Sequence, residues 1–143
     1  QWVWRNPFYG YVIRHAEYQT VTEGIDALLP KLRSLVDRGY SIALYPEGTR
    51  SADCRISRFH RGAFYIAEQL HLGITPMFLY GTGRRLPKTK YSLHRSPIYL
   101  EVDETMTQAQ LQAIGSPMEQ AKWMRKHYVE KYKTLCDEFE KNS

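Results

Sequence analysis

The sequence predicts an α/β fold: a mixed, largely parallel sheet flanked by helices, with a further helix at the C-terminal end. Three observations carry this. Two short apolar runs, "YSIALYP" and "ITPMFLY", bracket an amphipathic stretch, "RGAFYIAEQLHLG". Strand, helix, strand in that order implies a right-handed crossover between parallel strands. A third run, "IYLEVDE", alternates Ile98, Leu100 and Val102 and reads as another strand. Beyond it, Ala121, Met124, Tyr128, Tyr132, Leu135 and Phe139 recur at helical spacing.

The opening "QWVWRNPFYGYVI" is aromatic and strand-like and starts without methionine, so a cut through something longer is expected. Trp2, Trp4, Phe8, Tyr9 and Tyr11 read as interfacial anchors or, as is expected in a cut domain, as side chains that pack against neighbours or against removed sequence. From Val21, apolar residues at Ile25, Leu28, Leu32 and Leu35 mark one face of a helix. Thr20 and Glu23 fit a capping box, and Gly39 is a natural stop. Pro30 inside this helix costs on the order of 3 kcal/mol, so a kink or a break is expected there. The helix within "RGAFYIAEQLHLG" should end at Gly73. Pro76 has no N–H for a ladder, which places its strand at an edge or gives it a bulge. Ser116 as N-cap, Pro117 at the first helical position and Glu119 three after the cap open the final helix.

The 143 residues are read as one domain, residues 1–143. A net charge of +5 and a pI near 9.2 favour anionic partners without separating nucleic acid, phosphate-bearing metabolite and acidic membrane. No nucleic-acid recognition motif is present, so no nucleic-acid partner is expected. Two cysteines, Cys54 and Cys136, make neither a disulfide framework nor a zinc cluster, and a reducing compartment is expected. No metal site is read. No apolar run approaches the roughly 18 residues of a membrane span, and no signal-peptide pattern opens the chain. A soluble or peripheral protein is expected.

The stretch with chemistry is "ALYPEGTRS", residues 43–51, where an apolar run stops at a proline and five polar or small groups follow. In open parallel sheets ligands bind outside the carboxyl ends of strands, which is where this turn would sit. Glu47 can accept a hydrogen bond from a substrate hydroxyl. Gly48 lets backbone and ligand approach closely, and Arg50 offers a planar fork suited to phosphate. Thr49 and Ser51 add neutral donors. Taken alone, the turn reads equally as an exposed Glu47 to Arg50 ion pair worth about 0.2 to 1 kcal/mol.

In its context the stretch resembles the third motif of the glycerolipid acyltransferase family (PlsC-like, the lysophospholipid acyltransferase superfamily), Phe-Pro-Glu-Gly-Thr-Arg-Ser, with Tyr45 in place of the phenylalanine. "NPFYGY" is similar to the family's upstream Pro-Phe-x-Gly segment, "RFHRGAFYIAEQ" to its Phe-Lys-x-Gly-Ala-Phe helix start, and "ITPMFLYG" to the strand carrying the fourth motif's proline. Together they span about residues 6 to 83 in the family's order.

The resemblance implies transfer of a fatty acyl chain from acyl-CoA or acyl carrier protein, as co-substrate, to a hydroxyl of a glycerolipid or lysophospholipid acceptor. It implies a peripheral protein at the cytoplasmic, inner face of a membrane, with no bound cofactor. The family's base is the histidine of a His-x4-Asp motif. None of Asp26, Asp37, Asp53, Asp103 and Asp137 has a histidine five residues before it, so the base is expected upstream of Gln1 and no catalytic residue is assigned in this chain. This makes the chain the larger, C-terminal part of an acyltransferase domain from a longer parent with possible further domains. By resemblance, Glu47, Gly48, Thr49, Arg50 and Ser51 bind substrate. Arg61 stands near the basic residue of the Phe-Lys-x-Gly segment, Arg14 is the candidate for the second motif's phosphate-binding arginine, and Pro76 borders the acyl site. Neither a G-x-S-x-G elbow nor a cysteine with a recognisable histidine partner is present, so direct transfer is expected. The alternative is a catalytically inactive lipid- or phosphate-binding module. The loop "RRLPKTKYSLHRSP", with five cations and no acid, fits an acidic leaflet at about 1 kcal/mol per cation, and equally a plain solvated surface. "GTGRR" at Gly81 to Arg85 lacks the spacing of a phosphate loop.

Overall fold

The computed structural model describes residues 24–49, 51–86 and 94–141, with side chains through residue 137. The chain divides into two compact units, residues 1–42 and 43–143.

In the first unit, helix α1 (Ile25–Asp37) buries Leu28, Leu32 and Leu35, the face that the spacing predicts. It runs through Pro30 without the expected break. A proline removes a single ladder bond, and here buried leucines lie on both sides of it to hold the helix together. Gly39 ends the element, its N–H donating to the Val36 carbonyl at 2.8 Å. The Thr20–Glu23 capping pair and the aromatic opening lie outside the described residues.

The second unit contains helix α2 (Gly62–Leu70), strand β1 (Met77–Tyr80), the one-turn helix α3 (Thr82–Arg85), strand β2 (Tyr99–Val102), helix α4 (Gln108–Ile114) and helix α5 (Pro117–Lys141). β1 and β2 pair antiparallel, from Met77 opposite Val102 to Tyr80 opposite Tyr99. Among the described residues the sheet is this antiparallel pair, and the expected parallel pairing is not seen. Residues 41–45 have no ladder partner among the described residues, and Leu44 and Tyr45 are 44% and 78% exposed. An apolar run marks a segment as extended or buried but carries no information about which neighbour will pair with it. The parallel crossover is therefore absent among the described residues.

The reading of Pro76 holds. It directly precedes β1, and an isolated bridge joins Ile74 to Met106 beyond it, so residues 75–76 face the three residues 103–105 across a bulge. The Pro76 carbonyl accepts from the Asp103 N–H at 3.0 Å. α2 stops earlier than expected. His71, not Gly73, adopts the left-handed conformation at φ 55°, with His71 N–H donating to Glu68 and Leu72 N–H to Ala67. This is the Schellman pattern, which non-glycine residues also enter.

Thr107 and Gln110 cap α4 reciprocally, a Thr-x-x-Gln box that announces a helix the apolar spacing does not reveal. At α5 the predicted cap is present: Glu119 reaches back to accept from Ser116 N–H and Oγ, both at 2.7 Å.

One face of α5 organises the core. Ala121 and Met124 pack with Phe59 and Phe64, and Tyr128 joins them. Tyr128 lies 4.2 Å, ring to ring, from Phe78, and Tyr132 lies 5.2 Å from Tyr80. β1 thus turns Phe78 and Tyr80 onto the helix, while Met77 and Leu79 share the opposite, exposed face with their cross-strand partners Val102 and Leu100. Beyond β2, Asp103 anchors the same helix. His127 Nε2 lies 2.9 Å from one carboxylate oxygen and Lys131 Nζ 3.5 Å from the other, with Lys131 also 2.6 Å from Glu101.

Phe78→Ala should cost about 3–5 kcal/mol, and Leu100→Ala on the outer face of the sheet no more than about 0.5 kcal/mol, both read from urea unfolding. Equal losses would mean that the sheet buries the wrong face.

The hydrogen bond from His127, and then the charge of Lys131, hold Asp103 below the ordinary carboxylate value of 3.8. A carboxylate with a depressed folded-state pKa contributes stability that is present above 3.8 and fades as pH falls through its folded value. Asp103→Asn should therefore lower stability at neutral pH and flatten its fall as pH drops below about 4. An unchanged acid limb in thermal melts would refute this role.

Candidate functional site

The turn after residue 45 is built by its own backbone. Gly48 N–H donates to the Tyr45 carbonyl at 3.0 Å, and Gly48 sits at φ 67°, a left-handed conformation that a side chain disfavours. A Cβ there would also meet the His60 ring at 3.4 Å. The chain leaves the turn through a second tight bend. Ser51 Oγ donates to Asp53 at 2.7 Å and accepts from Arg55 N–H at 3.0 Å, Cys54 takes φ 59°, and Arg55 closes on Asp53 at 3.7 Å. The bond from Ser51, followed by that from the Arg55 backbone, lowers the Asp53 pKa.

The chain then returns past the turn. Residues 56–60 form a strap with two bonds to it: Ser57 N–H donates to Glu47 Oε2 at 2.8 Å, and His60 N–H donates to the Pro46 carbonyl at 2.8 Å. From behind, Arg125 of α5 reaches the strap, with Nε 2.9 Å from the Ser57 carbonyl and Nη2 3.3 Å from that of Ile56. Phe59 plants it in the core. Glu47 is thus half-buried and oriented by a backbone donor, a bond to a charged acceptor of the stronger kind.

Of the residues singled out from the sequence, Glu47, Gly48, Thr49 and Ser51 lie together on this double bend. Arg61 is exposed at the entry to α2, one residue after the strap's bond to Pro46. Pro76 is buried at the bulge before β1. Arg14 and Arg50 lie outside the described residues. Sequence reasoning missed Ser57, whose contribution is a backbone N–H that any residue supplies, and Arg125, which lies 68 residues from its partner.

"GTGRR" forms the turn α3. Gly81, at φ 90°, is crossed by the Pro97 carbonyl so closely that a Cβ there would collide with it. Its glycine serves the chain reversal. A cavity of about 240 Å³ beside it is lined by Asp53, Arg84, Tyr80, Tyr132 and the two free cysteines, Cys54 and Cys136. Burial there pushes the Tyr132 phenol up to about 12. Among the described residues, no three His, Cys, Asp or Glu side chains cluster as metal ligands, and no helix is long and apolar enough to cross a membrane.

Residues 3–80 match the profile of the Acyltransferase family, and this span contains the turn, the strap and α2. The chain belongs to that family. Among relatives, the 1-acyl-sn-glycerol-3-phosphate acyltransferase of Chlamydomonas reinhardtii is 39% identical over 64 residues, 45% of this chain and 19% of that protein. The chloroplastic enzyme of the same description from Brassica napus is 42% identical over 59 residues, 41% and 17% of the two chains. That of Cocos nucifera is 31% identical over 97 residues, 64% and 32%. A solved structure, the 1-acyl-sn-glycerophosphate acyltransferase PlsC from Thermotoga maritima, superposes with a TM-score of 0.76 at 20% identity, over 93% of this chain and 53% of that one. The acyltransferase fold is thereby shown. The matches cover at most a third of those three relatives' length and about half of the solved structure.

Glu47→Ala should free the Ser57 N–H and destabilise the second unit by about 1–3 kcal/mol, while Glu47→Gln, which keeps an acceptor oxygen, should cost less. Amide hydrogen exchange at Ser57 checks it. Unchanged protection in the alanine variant would show that the strap does not depend on the carboxylate.

Proposed function

We propose that this chain is the acceptor-holding part of an enzyme that transfers a fatty acyl group from acyl-CoA or acyl carrier protein to the hydroxyl of a lysophospholipid, lysophosphatidate first among them. The observation that carries the reading is the Glu47 turn, locked by Ser57 and by the left-handed Gly48, inside a span that matches the acyltransferase profile. The acceptor named in the relatives' descriptions, an acylglycerol phosphate, supports the acceptor class.

In this reading a histidine of a His-x4-Asp motif upstream of Gln1 takes the acceptor hydroxyl's proton. The oxygen attacks the thioester carbonyl, the C–S bond breaks, and the thiol leaves with a proton. Glu47, with one oxygen held by Ser57, keeps lone pairs for a hydroxyl of the acceptor glycerol. Thr49, Arg50 and Ser51 bind the acceptor beside it, Arg61 and Arg14 meet phosphate, and Pro76 supports the acyl end. No bound cofactor is required. The enzyme works as a peripheral protein at the cytoplasmic face of a membrane, where the basic connection after α3 faces acidic headgroups. In the whole protein, residues 41–45 pair into a larger, mainly parallel sheet.

The test is acyl transfer from radiolabelled acyl-CoA to lysophosphatidate. Residues 1–143 alone should be inactive, the chain extended upstream active, and Glu47→Gln in the extended chain slower by about tenfold or more, the worth of one charged hydrogen bond. An extended chain that binds lipid vesicles but transfers nothing would instead establish a lipid-binding module. Unchanged turnover in Glu47→Gln would remove that residue from the site.

A further inference from the structure

A second cavity, of about 110 Å³, lies between the strap and the first turns of α5, lined by Arg58, Phe59, Met118, Ala121, Lys122 and Arg125. Half of these residues are cations, and no acid lines the space. Lys122 and Arg125, three apart on a helix, repel each other by a few tenths of a kcal/mol when nothing lies between them. Glu119, whose charge is felt by Lys122, has its carboxylate tied to Ser116 N–H and Oγ in the helix cap.

The floor is rigid, since Phe59 and Ala121 belong to the buried core. One wall is preorganised. Arg125 spends two N–H groups on the Ile56 and Ser57 carbonyls, which fixes its guanidinium and leaves other N–H groups of the fork for an anion. Arg58 follows Ser57 directly and stands exposed on the strap that holds Glu47. The volume equals the liquid share of roughly three or four waters, enough for a tetrahedral oxyanion but not for a nucleobase or an acyl chain.

We propose that Arg58, Lys122 and Arg125 form a subsite for a terminal phosphate group. None of the three is among the positions that the acyltransferase motifs single out in this sequence. The pocket stands on its own geometry, and only the source of its phosphate rests on the acyltransferase reading: the terminal phosphate of the donor's nucleotide end, or the acceptor's glycerol phosphate.

Isothermal titration calorimetry of the 143-residue chain at low salt, with inorganic phosphate, CoA, dephospho-CoA and glycerol 3-phosphate as probes, tests it. Binding of at least one probe is expected, weakened about tenfold or more in Arg58→Gln and in Lys122→Gln, as the loss of one charge-assisted bond requires. Both side chains are exposed, so circular dichroism should show unaltered folding. CoA binding more tightly than dephospho-CoA assigns the pocket to the donor's terminal phosphate, and a preference for glycerol 3-phosphate assigns it to the acceptor. No heat with any probe, or equal affinity in wild type and both variants, overturns the proposal. Phosphate binding that depends on Arg58 and Lys122, in a chain whose extended form transfers no acyl group, would leave the pocket standing and remove the enzymatic reading.

Discussion

Tyr128 joins the parts of the second unit that must stay in register. Its ring meets Phe59 edge-on at 5.1 Å on one side and Phe78 at 4.2 Å on the other, so the strap and β1 are clamped to the same side chain. Its hydroxyl accepts from Met77 N–H at 3.0 Å and donates to the Met77 carbonyl at 3.2 Å. Tyr128 thus occupies both backbone groups of Met77 at the start of β1. Burial raises the phenol's pKa, which keeps the hydroxyl a proton donor throughout the physiological range. An apolar ring of the same size would fill the core and leave Met77 unsatisfied.

The turn at Glu47 inherits its geometry from this clamp. The turn's own backbone bond from Gly48 N–H to the Tyr45 carbonyl is too little to hold a left-handed residue and an oriented carboxylate against solvent. The strap supplies the rest through Ser57 and His60, and it lies where Phe59 places it. A carboxylate on a loop is thus oriented by a backbone donor from a segment anchored in the core, which limits the side-chain entropy it would lose on meeting a ligand. The same bond explains why the expected exposed ion pair is an incomplete account of Glu47: one oxygen is occupied by Ser57 N–H, 10 residues along the chain.

Legibility in the sequence followed the range of the interactions. The buried face of α1 and the Ser116 and Glu119 cap depend on neighbours within a few residues, and each was readable; the irregularity at Pro76 was readable from the proline's missing N–H, although its partners, residues 103–105, lie far along the chain. The pairing of residues 41–45 was not legible, because it depends on a distant partner that no local pattern names, and none is seen among the described residues. His71 replaced Gly73 at the end of α2 because the Schellman bonds of His71 and Leu72 outweigh the strain of one left-handed residue. The motif letters of the turn were plain in the sequence, and so was its family. The donors and cations around it were not, since Ser57 acts through its backbone and Arg125 through a contact 68 residues away.

That last contact shows why α5 matters beyond its length. At 1.5 Å of rise per residue, the helix from Gln120 to Tyr132 spans roughly 18 Å. Along it, Gln120 holds the Gly115 carbonyl, Arg125 the strap, Tyr128 the start of β1, and Lys131 with His127 the acidic end of β2. All of these partners are referred to one rigid rod. A displacement of α5 by an ångström would shift Arg125 and Tyr128 together, loosening the strap at both ends while leaving the letters of the turn untouched. The turn's motif is therefore necessary to the site's geometry without being sufficient, and the missing information resides in a helix that none of the motif resemblances reaches.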